Sequence, residues 1–382
     1  MRVVIFCHSL VSDWNHGNAH FLRGVTSDLL ARGHEVRVFE PRDAWSVQNL
    51  QADAGPDAVD SYRAAYPALS SRRYDAAALD LDEALDGADL VVVHEWSSHD
   101  LVARIGRMRA AGSRFTLLFH DTHHRSVTEP EAMAAYDLER YDGVLAFGDV
   151  IRERYVALGW ARRAWTWHEA ADPRVFHPVQ AAREGDVIWI GNWGDGERSE
   201  ELRTFLIEPV RDLGVRARVH GVRYPGDAIA ALAAAGIEYG GWLPNHQAPR
   251  AFGAFGVTVH VPRRPYVEAL PGIPTIRVFE ALACGIPLVS CWWDDCEGLF
   301  APGRDFLMAD SAAAMRRALR DVLNDPALAA SLAEHGRRTI LARHTCAHRV
   351  DQLLAIVAGL RDAADPMAPP ALAAAVSPEP AP

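Results

Sequence analysis

Short runs of β-branched and aromatic residues recur along the first part of the chain, at residues 2–6, 35–39, 89–93, 115–119, 143–147 and 164–167. Helical patterns separate them. Between the first two runs, Phe21, Leu22, Val25, Leu29 and Leu30 form one apolar stripe, and Gly33 supplies a C-terminal stop. Strand, helix and strand in under forty residues, repeated, predict βαβ units on a parallel sheet. Residues 49–82 are rich in Ala, Asp and Ser and poor in large apolar side chains. They read as an excursion from the sheet that could hold mobile helices, with no chemistry assigned to it.

The rhythm breaks near residues 170–185, where Asp172-Pro173, His177-Pro178 and a polar run intervene. A second alternating series follows, with strands predicted at 187–190, 215–220, 237–240, 257–261 and 286–290 and closing helices at 311–323, 327–342 and 347–360. The expected organisation is therefore an N-terminal Rossmann-like domain (1–168), a linker (169–185), a C-terminal Rossmann-like domain (186–345) and a closing helix (346–363). The Ala/Pro-rich stretch 364–382 lacks the apolar content to pack and is expected to be disordered.

Composition narrows the function. A chain of 382 residues with 49% hydrophobic content can fill two cores of ordinary size. The apolar residues 1–10 are followed at once by charged ones and read as a first strand, not a signal peptide, and no stretch is apolar enough to span a membrane. Five cysteines without a C-x-x-C pair argue against a disulfide framework or zinc ribbon and for a reducing, cytoplasmic setting. The net charge of −11 disfavours nucleic acid as the main partner. Peripheral membrane contact stays open. All 39 basic residues are arginine. Walker-type phosphate loops, kinase sites, pyridoxal Schiff bases and lysine nucleophiles are thereby excluded.

In open parallel sheets ligands bind beyond the carboxyl ends of the strands, and polar residues gather there: Cys7-His8-Ser9, His94-Glu95, the run His120 to His124, and Gly191 to Gly194. The turn around Gly17 could present backbone amides to an anion at the following helix. The turn Gly191 to Gly196 repeats that arrangement and leads to Arg198 and Arg203, but it lacks the third glycine of a dinucleotide fingerprint. His120, His123, His124 and Asp121 invite a metal reading. Adjacent histidines at a strand mouth rarely point one way, and His94 and His99 are five apart instead of four, so no metal site is expected. Asp294-Asp295 reads as a solvated turn, and Trp292-Trp293 as core or cleft wall.

The most informative segment runs from Pro271 to Ser290, where a helix carries Glu280 on an otherwise apolar side, ends at Gly285 and leads straight into a strand. From Phe279 to Leu288 it resembles the F/L-E-A-x-A-x-G-x-P-V/L element of the group 1 retaining glycosyltransferases of GT-B fold. Leu30 to Val38, the interdomain run Ala171 to Pro178 and the turn Gly241-Trp242-Leu243 resemble other elements of that family. Trp14 to Leu22, Arg277 to Glu280 and His344 to Arg349 resemble its spore-maturation CgeB-type subgroup. The resemblance spans about residues 1–360.

It implies an α/β protein of GT-B fold, two Rossmann-like doubly wound domains facing a central cleft, that binds a nucleotide-diphospho-sugar as donor substrate, with a UDP-sugar favoured. Glu280 would hold the ribose hydroxyls, the amides of Thr275 and Ile276 would face the diphosphate, and Trp242 and Leu243 would line the base pocket. Trp193 and Gly17 join the expected donor site. His120 would touch the donor sugar, and Arg277 and Arg198 would meet the leaving group's charge; for Arg203 a solvent-facing position is the better expectation. Where many group 1 enzymes carry a second glutamate, this chain has Gly272, with Glu268 nearby but off register. The implied reaction is hexosyl transfer with retention, without metal or other cofactor, to an unidentified acceptor. An inverting reaction would instead need a base such as Asp121 or His120. A nucleotide-sugar 2-epimerase and a non-catalytic sugar-nucleotide-binding partner are the alternatives.

Overall fold

The computed structural model describes residues 1–364, and the statements below concern those residues. The expected disordered stretch therefore lies outside the description, apart from Ala364, the last residue of the closing helix.

Thirteen strands form two separate sheets, each wholly parallel. The first contains β1 (Arg2–Phe6), β2 (Glu35–Pro41), β3 (Arg72–Tyr74), β4 (Leu90–His94), β5 (Thr116–Asp121), β6 (Gly143–Ala146) and β7 (Ala164–Thr166), in the order β3-β2-β1-β4-β5-β6-β7. The second contains β8 (Val187–Ile190), β9 (Ala217–His220), β10 (Ile237–Tyr239), β11 (Val257–His260), β12 (Leu288–Cys291) and β13 (Leu307–Ala309), in the order β10-β9-β8-β11-β12-β13. In both, strand order reverses beside the first strand, at β1/β4 and at β8/β11. Doubly wound folds bind ligands at such switch points.

The central strands are Val/Ile/Leu-rich and buried on both faces, as a covered parallel sheet requires. Two strands escaped the sequence pattern, β3 and β13. Each has three residues and lies at a sheet edge.

Residues 49–82 are better ordered by packing than their composition suggests. They contribute to the helices Trp45–Ala54 and Ala58–Ala65, and Tyr62 and Tyr66 of this segment cover the buried Arg23 guanidinium at 4.7 and 5.2 Å. These cation–π contacts add to the burial of Leu50, Val59, Tyr62, Tyr66 and Leu69 in holding the segment.

The helix Cys346–Ala364 returns to the N-terminal domain and packs along the first helix, Ala19–Ala31. Val350, Leu353 and Val357 join Phe21, Leu22, Val25 and Leu29 in one buried cluster, worth about 2 kcal/mol per side chain. The approach is close at Gly24, where a Cβ would lie 2.4 Å from Cys346 Sγ. Trp167 Nε1 donates to the Arg349 carbonyl at 2.7 Å, and Arg349 Nε donates to that of His168 at 2.8 Å. Among the described residues, no helix is long and apolar enough to cross a membrane.

Candidate functional site

The loops leaving the C-terminal ends of both sheets meet in one cleft of about 620 Å³. From the first sheet come Asp13 and Asn15 to Asn18 after β1, Trp96 after β4, Thr122 to His124 after β5 and Phe147 after β6. From the second come Gly191 and Asn192 after β8, Gly221 to Arg223 after β9, Trp242 to Asn245 after β10, and Arg198, His260, Arg263 and Thr275 to Arg277. The volume is of the order that a small-molecule ligand fills. Its walls are tied across the domains: Asp13 accepts from Trp242 Nε1 and from the Asn245 amide, both at 3.1 Å, while pairing with Arg23 at 2.9 Å.

One corner of the cleft is built for negative charge. The helix Ile276–Ala283 begins there with Thr275 as an extended N-cap whose side chain makes no cap bond. Its Oγ1 lies instead 3.0 Å from His260 Nε2. The first helical amides are thus without a side-chain partner from the cap, and the helix dipole favours an anion at that end. Arg198 stands beside them, nine-tenths buried. Its Nε and Nη2 donate to the Asn192 carbonyl at 3.1 and 2.6 Å, its Nη1 to that of Val261 at 3.3 Å, and the guanidinium lies over Trp189. Among the described residues no carboxylate lies within ion-pairing distance of it. Burial, assisted by the charge of Arg263, brings the Arg198 pKa down to about 9. Gly17 closes the corner from the opposite domain, where a Cβ would sit 3.3 Å from Ile276 Cγ2.

Glu280 is fully buried beneath this corner. Its Oε1 accepts from His20 Nδ1 at 2.8 Å and from Asn245 Nδ2 at 2.7 Å, and its Oε2 pairs with Arg277. Burial would raise its pKa, but Arg277, His20 and Asn245 outweigh that effect and hold it below the usual carboxylate range. Glu280, expected to hold a ribose, is itself not among the residues that line the cleft. Arg277 and Asn245, which it holds, are.

Thr275, Ile276, Gly17, Trp242, Leu243, Arg198 and Arg277 line the cleft, whereas His120 and Trp193 do not. His120 is packed below the floor against Phe21, His94 and Trp167, and burial lowers its pKa to about 3. Desolvation keeps it neutral. Trp193 belongs to the core of the second domain beside Tyr224. Arg203 pairs with Asp227 on the surface. Asp121 is buried and accepts from Tyr155 at 2.9 Å.

His123 and His124 depart from expectation by lying together, their ring centroids 3.9 Å apart, on the cleft wall. Even so, no group of three His, Cys, Asp or Glu side chains among the described residues converges as a cation site. Gly272 has φ +84°, and a side chain there would collide with Glu297, whose carboxylate bonds the Asp149 amide and His168 Nε2, each at 2.8 Å. Asp295 caps the amides of Leu299 and Phe300, Trp293 is buried and Trp292 exposed.

A residue absent from the sequence expectations is Glu169, on the cleft wall and only 6% exposed. Its Oε1 accepts from Asn18 Nδ2 at 2.9 Å, and Asn18 in turn accepts from His94. The sequence held one signal: His168-Glu169 follows β7 as His94-Glu95 ends β4 and His120-Asp121 ends β5.

Two chain-wide comparisons fit this geometry. The α-glucosyltransferase in complex with UDP-glucose and DNA containing an abasic site superposes with a TM-score of 0.69 at 13% identity, covering 94% of this chain and 99% of that one. Sucrose-phosphate synthase from Thermosynechococcus elongatus superposes with a TM-score of 0.63 at 15% identity, covering 95% of this chain and 100% of that one. The chain has the GT-B glycosyltransferase fold. A further GT-B neighbour, Anabaena HepE in complex with UDP and glucose, gives a TM-score of 0.65 at 12% identity, over 94% of this chain and 99% of that one. Residues 198–355 match a family described as glycosyl transferase-like, which places that signature on the half of the GT-B cleft that holds Arg198, Arg277 and Glu280. No curated protein matches the sequence significantly.

Proposed function

We propose that this protein is a metal-independent hexosyltransferase that moves a sugar from a UDP-sugar to an unidentified acceptor with retention, within the CgeB-type subgroup of group 1. The observation that carries the reading is Arg198: a buried cation, without a carboxylate partner among the described residues, lining the same cleft as the start of the Ile276–Ala283 helix. Burying a cation is costly, and a bound anion offsets the cost. A nucleoside diphosphate supplies that anion, and its growing charge on departure is met by Arg198, Arg277 and helix amides already in place. Retention is taken from the resemblance. In that chemistry the leaving oxygen deprotonates the acceptor on the same face of the sugar, so no protein nucleophile is needed.

Glu280 then serves as a positioning residue, fixing Arg277 and Asn245 against the donor. UDP appears in the descriptions of the α-glucosyltransferase and HepE structures, which favours uracil as the base here. The DNA of the α-glucosyltransferase complex is not carried over, since a net charge of −11 opposes a polyanionic acceptor. Five free cysteines fit a reducing, cytoplasmic setting. Calorimetric titration with UDP, followed by incubation with UDP-sugars, tests the reading. Binding and slow release of UDP with free sugar support it. An epimerised donor as the sole product, or no binding of any nucleoside diphosphate, would overturn it.

A further inference from the structure

Two buried carboxyl groups, Glu169 and Glu280, stand near the start of the Ile276–Ala283 helix, and their surroundings treat them oppositely. Glu280 has Arg277, His20 and Asn245 around it and stays ionised at neutral pH. Glu169 lines the cleft, with Oε1 held by Asn18 and Oε2 without a side-chain partner among the described residues. The Ile276 amide lies against its carboxyl. The other groups facing it are Arg277 and Glu280 from that helix, Tyr266 from the helix Arg264–Glu268, His94 behind Asn18, and Arg349, which bonds the Glu169 carbonyl at 3.4 Å. Burial, with the charge of Glu280 added, moves the Glu169 pKa up to about 8 against the pull of Asn18, the Ile276 amide and Arg277. Such divergence between neighbouring carboxyls separates a hydrogen-bond donor from an acceptor.

We propose that Glu169 binds the diphosphate of the nucleotide-sugar as a hydrogen-bond donor. The inference rests on the nucleotide-sugar reading above and adds a residue to it. Glu169 takes the Ile276 amide and lines the cleft beside Arg277, so a phosphate oxygen drawn to Arg277 also meets this carboxyl. As a neutral acid it donates an O–H to that oxygen. Ionised, it would set a second negative charge against the diphosphate in a poorly solvated corner, where like charges repel strongly.

The test is UDP affinity by calorimetry on the full chain between pH 7 and pH 9.5, with Glu169→Gln and Glu169→Ala alongside. Wild-type affinity is expected to fall about tenfold per pH unit above pH 8. Glu169→Ala weakens UDP about tenfold at pH 7, Glu169→Gln, which retains a donor, restores most of that loss, and neither shows the wild-type pH slope. Titrations in two buffers of different ionisation enthalpy at pH 8.5 need no variant: UDP binding to wild type should take up protons. UDP binding with the same pH slope in Glu169→Gln as in wild type, or without proton uptake, overturns this inference alone. No UDP binding at any pH overturns the function with it.

Discussion

His20 Nδ1 lies 2.8 Å from Glu280 Oε1 although 260 positions separate the two residues in sequence. The other ring nitrogen, Nε2, accepts from the Asp172 amide at 3.0 Å, so the proton must sit on Nδ1 and point at the carboxylate. One neutral imidazole, stacked on Phe176 at 3.9 Å, thus joins the first helix, the interdomain linker and the Glu280 helix. This corner of the cleft is held in shape by a contact between domains.

Glu280→Gln is therefore expected to cost stability as well as donor binding. The amide nitrogen would face either the Arg277 guanidinium or the donors of His20 and Asn245, leaving a buried group unpaired, and breaking such a cluster costs about 3 kcal/mol. Since the folded-state pKa of Glu280 is depressed, its contribution is present above the ordinary value of 4.5 and lost as pH falls below it. Urea unfolding at pH 7 and pH 4 should show the variant closing part of its gap to wild type at the lower pH.

For Glu169 the sign reverses. A carboxyl whose pKa is about 8 when folded and 4.5 when free binds more protons in the folded state between those values, so it removes stability as pH rises from 4.5 to 8 and no further above that. Glu169→Gln should be more stable than wild type at pH 8 and close to it at pH 4.5. Melting temperatures across that range check the trend, and a constant difference would contradict it.

Arg198→Ala should separate stability from function. Removal of a desolvated cation whose partners are backbone carbonyls and the Trp189 ring, with no carboxylate among the described residues, is expected to leave the melting temperature unchanged or raised. UDP affinity should drop by about 1.5–3 kcal/mol, the worth of hydrogen bonds to a charged group. At saturating donor, kcat should fall as well, for Arg277→Ala too, because the interaction strengthens as charge develops on the diphosphate. Unchanged turnover with only KM affected would reduce both arginines to docking contacts.

Activity should survive EDTA, since arginines and helix amides fill the role of a divalent ion at the diphosphate. Loss on chelation with recovery on adding manganese would direct attention to His123 and His124 on the cleft wall.

Both doubly wound sheets were legible because buried parallel strands are written as uninterrupted Val/Ile/Leu runs, and β3 and β13 were missed because three residues at an edge carry no such period. Within the site, the wall residues Arg198, Thr275 to Arg277, Trp242 and Leu243 were legible from turns and a family element. His120 was misplaced, since a strand-end position does not reveal whether a side chain stands above the floor or below it. The partners of Glu280, His20 and Asn245, were not legible because they come from distant segments. Glu169 was passed over because the linker's prolines drew the domain boundary across the very residue that the cleft uses.

The close fit at Gly24, with the helix Cys346–Ala364 laid along Ala19–Ala31, bears on how the chain is made. A domain emerging first from the ribosome ordinarily folds first. Here the N-terminal sheet is complete once β7 has been synthesised, yet the side of its first helix at Gly24 waits for almost two hundred further residues before the helix Cys346–Ala364 reaches it. The earlier domain of the two is finished last, and until then the side of its first helix at Gly24 lies open. Chains released before residue 346 should accordingly be the aggregation-prone products of this gene, and a helper protein that binds nascent chains would find its footing there.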